Sequence, residues 1–132
     1  MRMSVRLNLP CEVDSVPAVR RLLRCALGVL HVDRQYGADL ELALTEACGN
    51  VVKHASGADK FEVSLEVADD RCAIDVRDNG TGFDIGEAAG DDPGADSEHG
   101  RGLFLIRALS DNVRLQSTPR SGSLIHFEKT FA

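Results

Sequence analysis

Hydrophobic and polar positions repeat at two different periods along this chain, and each switch of period marks a new element. Val5, Leu7 and Leu9 alternate with Arg6 and Asn8. A period of two puts successive side chains on opposite faces of a strand, so the spacing predicts a strand near 3–9, stopped by Pro10. The period then lengthens. Val19, Leu22, Leu23, Ala26, Leu27 and Leu30 recur at helical spacing, with Asp14 or Ser15 placed to cap and Pro17 in the first turn. A second helix is predicted behind Asp33. Its buried stripe would be Leu40, Ala43, Leu44, Ala47 and Val51, and Ser56-Gly57 would close it.

Period two returns at Phe61, Val63, Leu65 and Val67. Asp69-Asp70 supplies a turn and Ala73–Arg77 a return strand, which predicts a hairpin. Residues 78–99 have no period and are rich in Gly, Asp and Ser. A loop that long in a compact domain is more often functional than idle. A helix over about 100–110 and strands near 112–118 and 122–130 complete the pattern, the strands joined by Thr118-Pro-Arg-Ser-Gly122. Without a repeat or a linker, the expectation is one domain over 1–132. Its fold class would be α+β, a two-layer sandwich of a mixed, mostly antiparallel sheet with helices on one face.

Composition removes several functions. The 132 residues can bury a real core, and 43% apolar and 27% charged residues are ordinary. No apolar run approaches the roughly 20 residues of a membrane span. The N-terminus has no secretory apolar core, so a soluble, cytoplasmic protein is expected. Net charge is −6, divided as +1 over residues 1–60 and −7 over 61–132. No basic face suited to nucleic acid is evident, although solubility alone also explains such a balance. Cys11, Cys25, Cys48 and Cys72 form no Cys-x-x-Cys pair, and the histidines at 31, 54, 99 and 126 show no ligand spacing. A metal held by protein groups alone is not expected.

Three short segments carry candidate chemistry. Glu46 and Asn50 lie four residues apart on one flank of the second helix, away from its apolar stripe, and Lys53 and His54 continue that line. A carboxylate can take a proton from a hydroxyl, and an amide oxygen can ligate Mg²⁺ beside substrate phosphates. A solvated helix face would look the same. Asp78-Asn-Gly80-Thr-Gly82 follows a strand. Its carboxylate can accept from an exocyclic amine such as that of adenine, and its glycines let backbone approach a flat ring. A plain turn fits it equally. Gly100-Arg101-Gly102-Leu103 opens an apolar helix, where free N–H groups and the helix dipole favour anions. A flexible hinge is the alternative. Neither the Walker loop nor the Rossmann fingerprint is present.

In order and spacing, the three segments resemble the N, G1 and G2 boxes of the GHKL (Bergerat-fold) ATPases, which include histidine kinases, gyrase, Hsp90 and MutL. Glu46-Ala-Cys-Gly-Asn50-Val-Val-Lys-His54 and the run Gly100–Asp111 most resemble the anti-sigma-factor serine/threonine kinases of the RsbW/SpoIIAB type. Histidine kinases carry a phospho-accepting helical domain ahead of the ATPase domain, and this chain length leaves no room for one. The resemblance implies ATP/ADP and Mg²⁺ as cofactors. Glu46 would be the general base and Asn50 the Mg²⁺ ligand. Asp78 would bind adenine, with Gly80 and Gly82 shaping its pocket. Gly100, Gly102 and the adjoining Leu103 would form the phosphate seat, with Lys53 and Arg101 as phosphate contacts. Ser123 after Gly122 matches a Gly-Thr pair that supports adenine.

The same resemblance implies transfer of the γ-phosphoryl group to a STAS-domain anti-anti-sigma protein in a partner-switching pathway. A sigma factor or another client would be held in the alternate state, and the kinase would be a homodimer. Arg20, Arg21 and Arg24 on the first helix would serve as a docking patch, although ordinary surface charge also accounts for them. One stretch departs from the pattern. Segment 84–98, the expected ATP lid, holds Asp84, Glu87, Asp91, Asp92, Asp96 and Glu98 and no Lys or Arg. Such a lid is repelled by a triphosphate. That supports an alternative in which the protein binds nucleotide and sequesters a partner without catalysis.

Overall fold

The computed structural model describes residues 1–54, 58–80, 98–118 and 122–131, and only the backbone of 54, 98–101 and 118. Eight elements follow in order: β1 (Met3–Pro10), α1 (Ser15–Val29), α2 (Arg34–His54), β2 (Lys60–Val67), β3 (Arg71–Asp78), α3 (Glu98–Leu109), β4 (Asn112–Thr118) and β5 (Gly122–Thr130). The strands form one sheet of order β1-β2-β3-β5-β4, and every pairing among them is antiparallel. The expected mixed sheet is thus antiparallel throughout its described strands, because each neighbour returns beside the strand it pairs with.

Alternation along the strands builds the two layers. Phe61, Val63, Leu65 and Val67 of β2 are buried, as are Cys72, Ile74 and Val76 of β3 and Ile125 and Phe127 of β5. The intervening residues face away from the helices, and most of them are charged or polar. There Arg6 meets Glu62 at 3.6 Å, Arg71 meets Glu128 at 3.6 Å, and His126 Nδ1 lies 2.6 Å from Asp75 Oδ1. The Arg6–Glu62 pair, on the solvent side of the sheet, contributes little stability. The side of the sheet facing the helices forms a single core with them.

α2 is the central helix, packed against α1 on one flank and α3 on the other. Its predicted stripe, Leu40, Ala43, Leu44, Ala47 and Val51, is buried. The outer helices bury less than their apolar pattern suggests. Leu22 of α1 is 43% exposed and Phe104 of α3 is 52% exposed. Among the described residues each outer helix has a helical neighbour on one flank only, so its buried stripe is narrow.

The helix ends differ from expectation in one place. Asp33 caps α2, accepting from the Gln35 N–H at 3.0 Å. At α1, Asp14 sits at the cap position but makes no side-chain cap bond, and Ser15 Oγ instead donates to the Pro10 carbonyl at 2.7 Å. α1 closes with the Val32 N–H donating to the Leu27 carbonyl at 3.0 Å and the His31 N–H to the Gly28 carbonyl at 3.1 Å. His31 takes the left-handed conformation, φ 56°, that such a closure ordinarily gives to glycine.

Candidate functional site: a cleft over the central helix

The antiparallel register brings several chain segments to one end of the sheet. Leu9 pairs with Phe61 and Phe61 with Asp78, so the end of β1, the start of β2 and the end of β3 lie side by side. β5 begins beside them. A Cβ on Gly122 would lie 2.2 Å from the Asp78 carbonyl oxygen, and Gly122 has φ +79°, so only glycine allows this approach.

Asp78 is expected just past its strand, and the structure makes it the last residue of β3, 3% exposed. One carboxylate oxygen accepts from the Gly80 N–H at 2.8 Å and the other from Ser123 Oγ. A carboxylate offers about four acceptor sites. Its two further sites can take donors from a ligand. Gly80 is buried beside it. Asn79 Nδ2 donates to Asp59 Oδ1 at 3.1 Å and ties this turn to the start of β2.

The second cluster lies on α2. Glu46 is half-buried, and Asn50 is 6% exposed. Both meet Gly102 of α3: a Cβ there would lie 3.0 Å from Asn50 Oδ1 and 3.2 Å from Glu46 Oε2. Asn50 Nδ2 is buried with no hydrogen-bond partner. Leaving a buried donor unpaired costs about 1–3 kcal/mol, so among the described residues this N–H₂ is left open to an acceptor such as a ligand oxygen, with Oδ1 as the atom suited to a cation. Cys11 joins the clusters. Its Sγ donates to the Val51 carbonyl at 3.6 Å, and its thiol is pushed up by burial and by the charges of Asp78 and Asp59.

A cleft of about 570 Å³ runs over the exposed face of α2. Glu46, Asn50, Lys53 and Gly102 line it, together with Val13, Val16, Pro17, Val52 and Leu105. That volume suits a small-molecule ligand. Among the described residues no group of three His, Cys, Asp or Glu could hold a metal ion. A single amide oxygen beside ligand phosphates does fit a hard cation such as Mg²⁺.

The glycine turn expected to precede the last helix lies within it. α3 begins at Glu98, so Gly100 is its third residue and still has an N–H without a partner inside the helix. Gly102 is a helical residue whose bare Cα faces Asn50. Leu103 is 1% exposed and its side chain enters the core, not the cleft. Lys53 is exposed on the cleft. Gly82, residues 84–97 of the expected lid and Ser56-Gly57 lie outside the described residues, as does the Arg101 side chain. Val13, Val16, Pro17 and Leu105 have no signal in the sequence that separates them from core residues. The three arginines divide. Arg24 donates through Nη2 (2.7 Å) and Nε (3.2 Å) to Glu41 Oε1 on α2. Arg20 is half-buried, with Nε unpartnered, and Arg21 is exposed.

Residues 9–128 match the histidine kinase-like ATPase domain family. The chain is 34% identical over 126 residues to the serine-protein kinase RsbW of Listeria monocytogenes, covering 87% of this chain and 80% of that protein. It is 44% identical over 123 residues to RsbW of Bacillus licheniformis, covering 85% and 77%. The chain belongs to the RsbW-type serine-protein kinases. The fold agrees: the crystal structure of the RsbU and RsbW domains of Rv1364c from Mycobacterium tuberculosis superposes with a TM-score of 0.75 at 20% identity. That match covers 98% of this chain, which spans 33% of the other. In the fold, Gly102 of α3 meets Glu46 and Asn50 of α2 in the cleft, while Asp78 at the end of β3 lies beside Gly122 and outside the cleft lining.

Proposed function

We propose that this protein is an ATP- and Mg²⁺-dependent serine/threonine kinase and anti-sigma-type regulator of a partner-switching circuit, acting on a STAS-domain antagonist. The observation that carries the reading is the convergence of Glu46 and the orphaned Asn50 amide on Gly102 in the cleft.

Asp78 accepts the adenine amine, held in place by Ser123 and the Gly80 N–H, and Gly82 is assigned to the same pocket by its place in the sequence motif. Asn50 would hold Mg²⁺ through its carbonyl oxygen, and the ion would supply neutralisation of phosphate charge. The N–H groups at the start of α3, including that of Gly100, receive phosphate oxygens, and Lys53 and Arg101 add positive charge. Glu46 takes the proton of the attacking serine or threonine hydroxyl. ADP remains as product. Phosphorylated antagonist leaves, and the kinase is free to hold a sigma factor or another client. Arg20, Arg21 and Arg24 border the surface offered to these partners, with Arg24 already engaged by Glu41. A cytoplasmic homodimer without direct nucleic-acid contact fits this role. Among the described residues no helix is long and apolar enough to cross a membrane.

The test is radiolabel transfer from Mg-ATP to a purified STAS-domain protein from the same genome, with nucleotide affinity measured alongside. Wild type should yield a stable phosphoserine or phosphothreonine. Glu46→Gln should bind nucleotide and transfer nothing. The reading fails if wild type does not transfer, or if Glu46→Gln transfers equally well. Binding without transfer would favour the sequestering switch, which the acidic composition of 84–98 supports.

A further inference from the structure

The cleft extends beyond its reacting end. Past Glu46 and Asn50 its wall is aliphatic, built by Val13 and Pro17 from around the start of α1, Val52 from α2 and Leu105 from α3. Val13 is 74% exposed. Thr45 on this wall donates its hydroxyl to the Glu41 carbonyl at 2.7 Å, so its donor is already satisfied, and exposed Lys53 stands beside Val52. A triphosphate has no use for the aliphatic part of this surface, since it seeks cations and N–H groups. Adenine has its polar partner in Asp78, which does not line this cleft.

Resting on the kinase reading above, we propose that Val13, Pro17, Val52 and Leu105 form the subsite for an aliphatic side chain flanking the accepting serine or threonine of the substrate protein. Continuity with the reacting end identifies the occupant. A hydroxyl that gives its proton to Glu46 must come within about 3 Å of that carboxylate. Residues next to it in sequence reach only about 3.3–3.6 Å further each, which places them on the wall of the same cleft. A charged neighbour would give up hydration against the aliphatic part of the wall, whereas a branched aliphatic one would bury apolar surface there. The wall therefore selects the sequence around the phosphorylated residue.

The contact exists before and during transfer, so its loss raises KM and leaves kcat alone. The probe is the STAS-domain protein that the wild-type chain phosphorylates, with a fluorescent ATP analogue reporting nucleotide affinity. Val13→Asp should raise KM for the protein substrate roughly tenfold or more, with kcat and analogue affinity within about twofold of wild type. Val13→Ile should keep the wild-type KM. Val13 is exposed, so the fold tolerates the change. As a second arm, Asp in place of the aliphatic residue beside the acceptor in the substrate should raise KM similarly. Combining it with Val13→Asp should add far less than the product of the two effects. A wild-type KM for Val13→Asp overturns the proposal and leaves the kinase reading standing. Loss of analogue affinity in parallel with KM also overturns it, because the wall would then belong to the nucleotide. If wild type transfers no phosphate at all, the kinase reading fails and this subsite falls with it.

Discussion

Gly102→Ala sets stability against activity at a single atom. Gly102 is inside α3, where alanine is favoured over glycine by about 0.8–1 kcal/mol through backbone entropy. The new methyl would lie 3.0 Å from Asn50 Oδ1, 3.3 Å from Asn50 Nδ2 and 3.2 Å from Glu46 Oε2. Those contacts demand that a neighbour retreat by a few tenths of an ångström. The half-buried Glu46 carboxylate can swing aside. The Asn50 amide, 6% exposed, cannot move as freely. The crowding consumes part of the helical gain, so unfolding free energy should change by no more than about 1 kcal/mol in either direction. Function should suffer more. Mg²⁺ requires near-ideal ligand distances, and disturbing a group that orients a metal ligand costs about 10–100-fold. Urea denaturation would read the first quantity, and Mg-ATP affinity with single-turnover transfer the second. In an Asn50→Ala background, which removes two of the three close atoms, Gly102→Ala should stabilise by most of the propensity difference. If Gly102→Ala destabilises by well over 2 kcal/mol, or binds Mg-ATP and transfers like wild type, the assigned contact between α3 and Asn50 is wrong.

Gly122→Ala should be the more damaging glycine substitution for the fold. Its Cβ would meet the Asp78 carbonyl at 2.2 Å in a left-handed conformation, a combined cost of about 2–4 kcal/mol readable as a fall in urea midpoint, and nucleotide affinity should fall with it. His31→Gly should raise stability by about 0.5–1 kcal/mol in thermal denaturation, because glycine enters the left-handed closure of α1 without a Cβ penalty. Burial pushes Cys48 and Cys72 from 9.0 up to about 12. Below 9.0 both folded and unfolded states keep these protons. Between 9.0 and about 12 only the unfolded state releases them, so stability should fall as pH rises by roughly 1 kcal/mol per unit per thiol. A native thiol-labelling time course at mildly alkaline pH should accordingly show exposed Cys25 reacting first and Cys48 and Cys72 only on unfolding.

Element type was legible wherever one face of an element had to be buried. Leu40, Ala43, Leu44, Ala47 and Val51 could be read as a buried stripe because α2 packs between two helices and the sheet. The α1 stripe was read too wide, and the apolar run of α3 is only partly buried, since sequence does not reveal which helix lies at the edge of a layer. Leu22 and Phe104 are exposed for that reason. The start of α3 was placed late because glycine is a poor helix former. Glu98, His99 and Gly100 are nonetheless helical. The Ser15 bond to Pro10 and the left-handed His31 depend on where neighbouring segments arrive, and no local pattern announces them.

By itself, the sequence determined the α+β class, the order of strands and helices, and the residue types able to bind nucleotide and move a proton. Those properties reside in periodicity and side-chain chemistry, which are local. Tertiary structure decided which residues share a site. The register that sets Leu9, Phe61 and Asp78 side by side, and the approach of Gly122 to the Asp78 backbone, place the Asp78 carboxylate at the sheet end where Cys11 meets the Val51 carbonyl of α2. It also decided that Gly102 meets Asn50 through a bare Cα, that Leu103 belongs to the core, and that Val13 and Leu105 continue the cleft past Glu46. Contacts between residues tens of positions apart are fixed by how helices pack on the sheet, and that packing minimises exposed apolar surface over the whole chain at once.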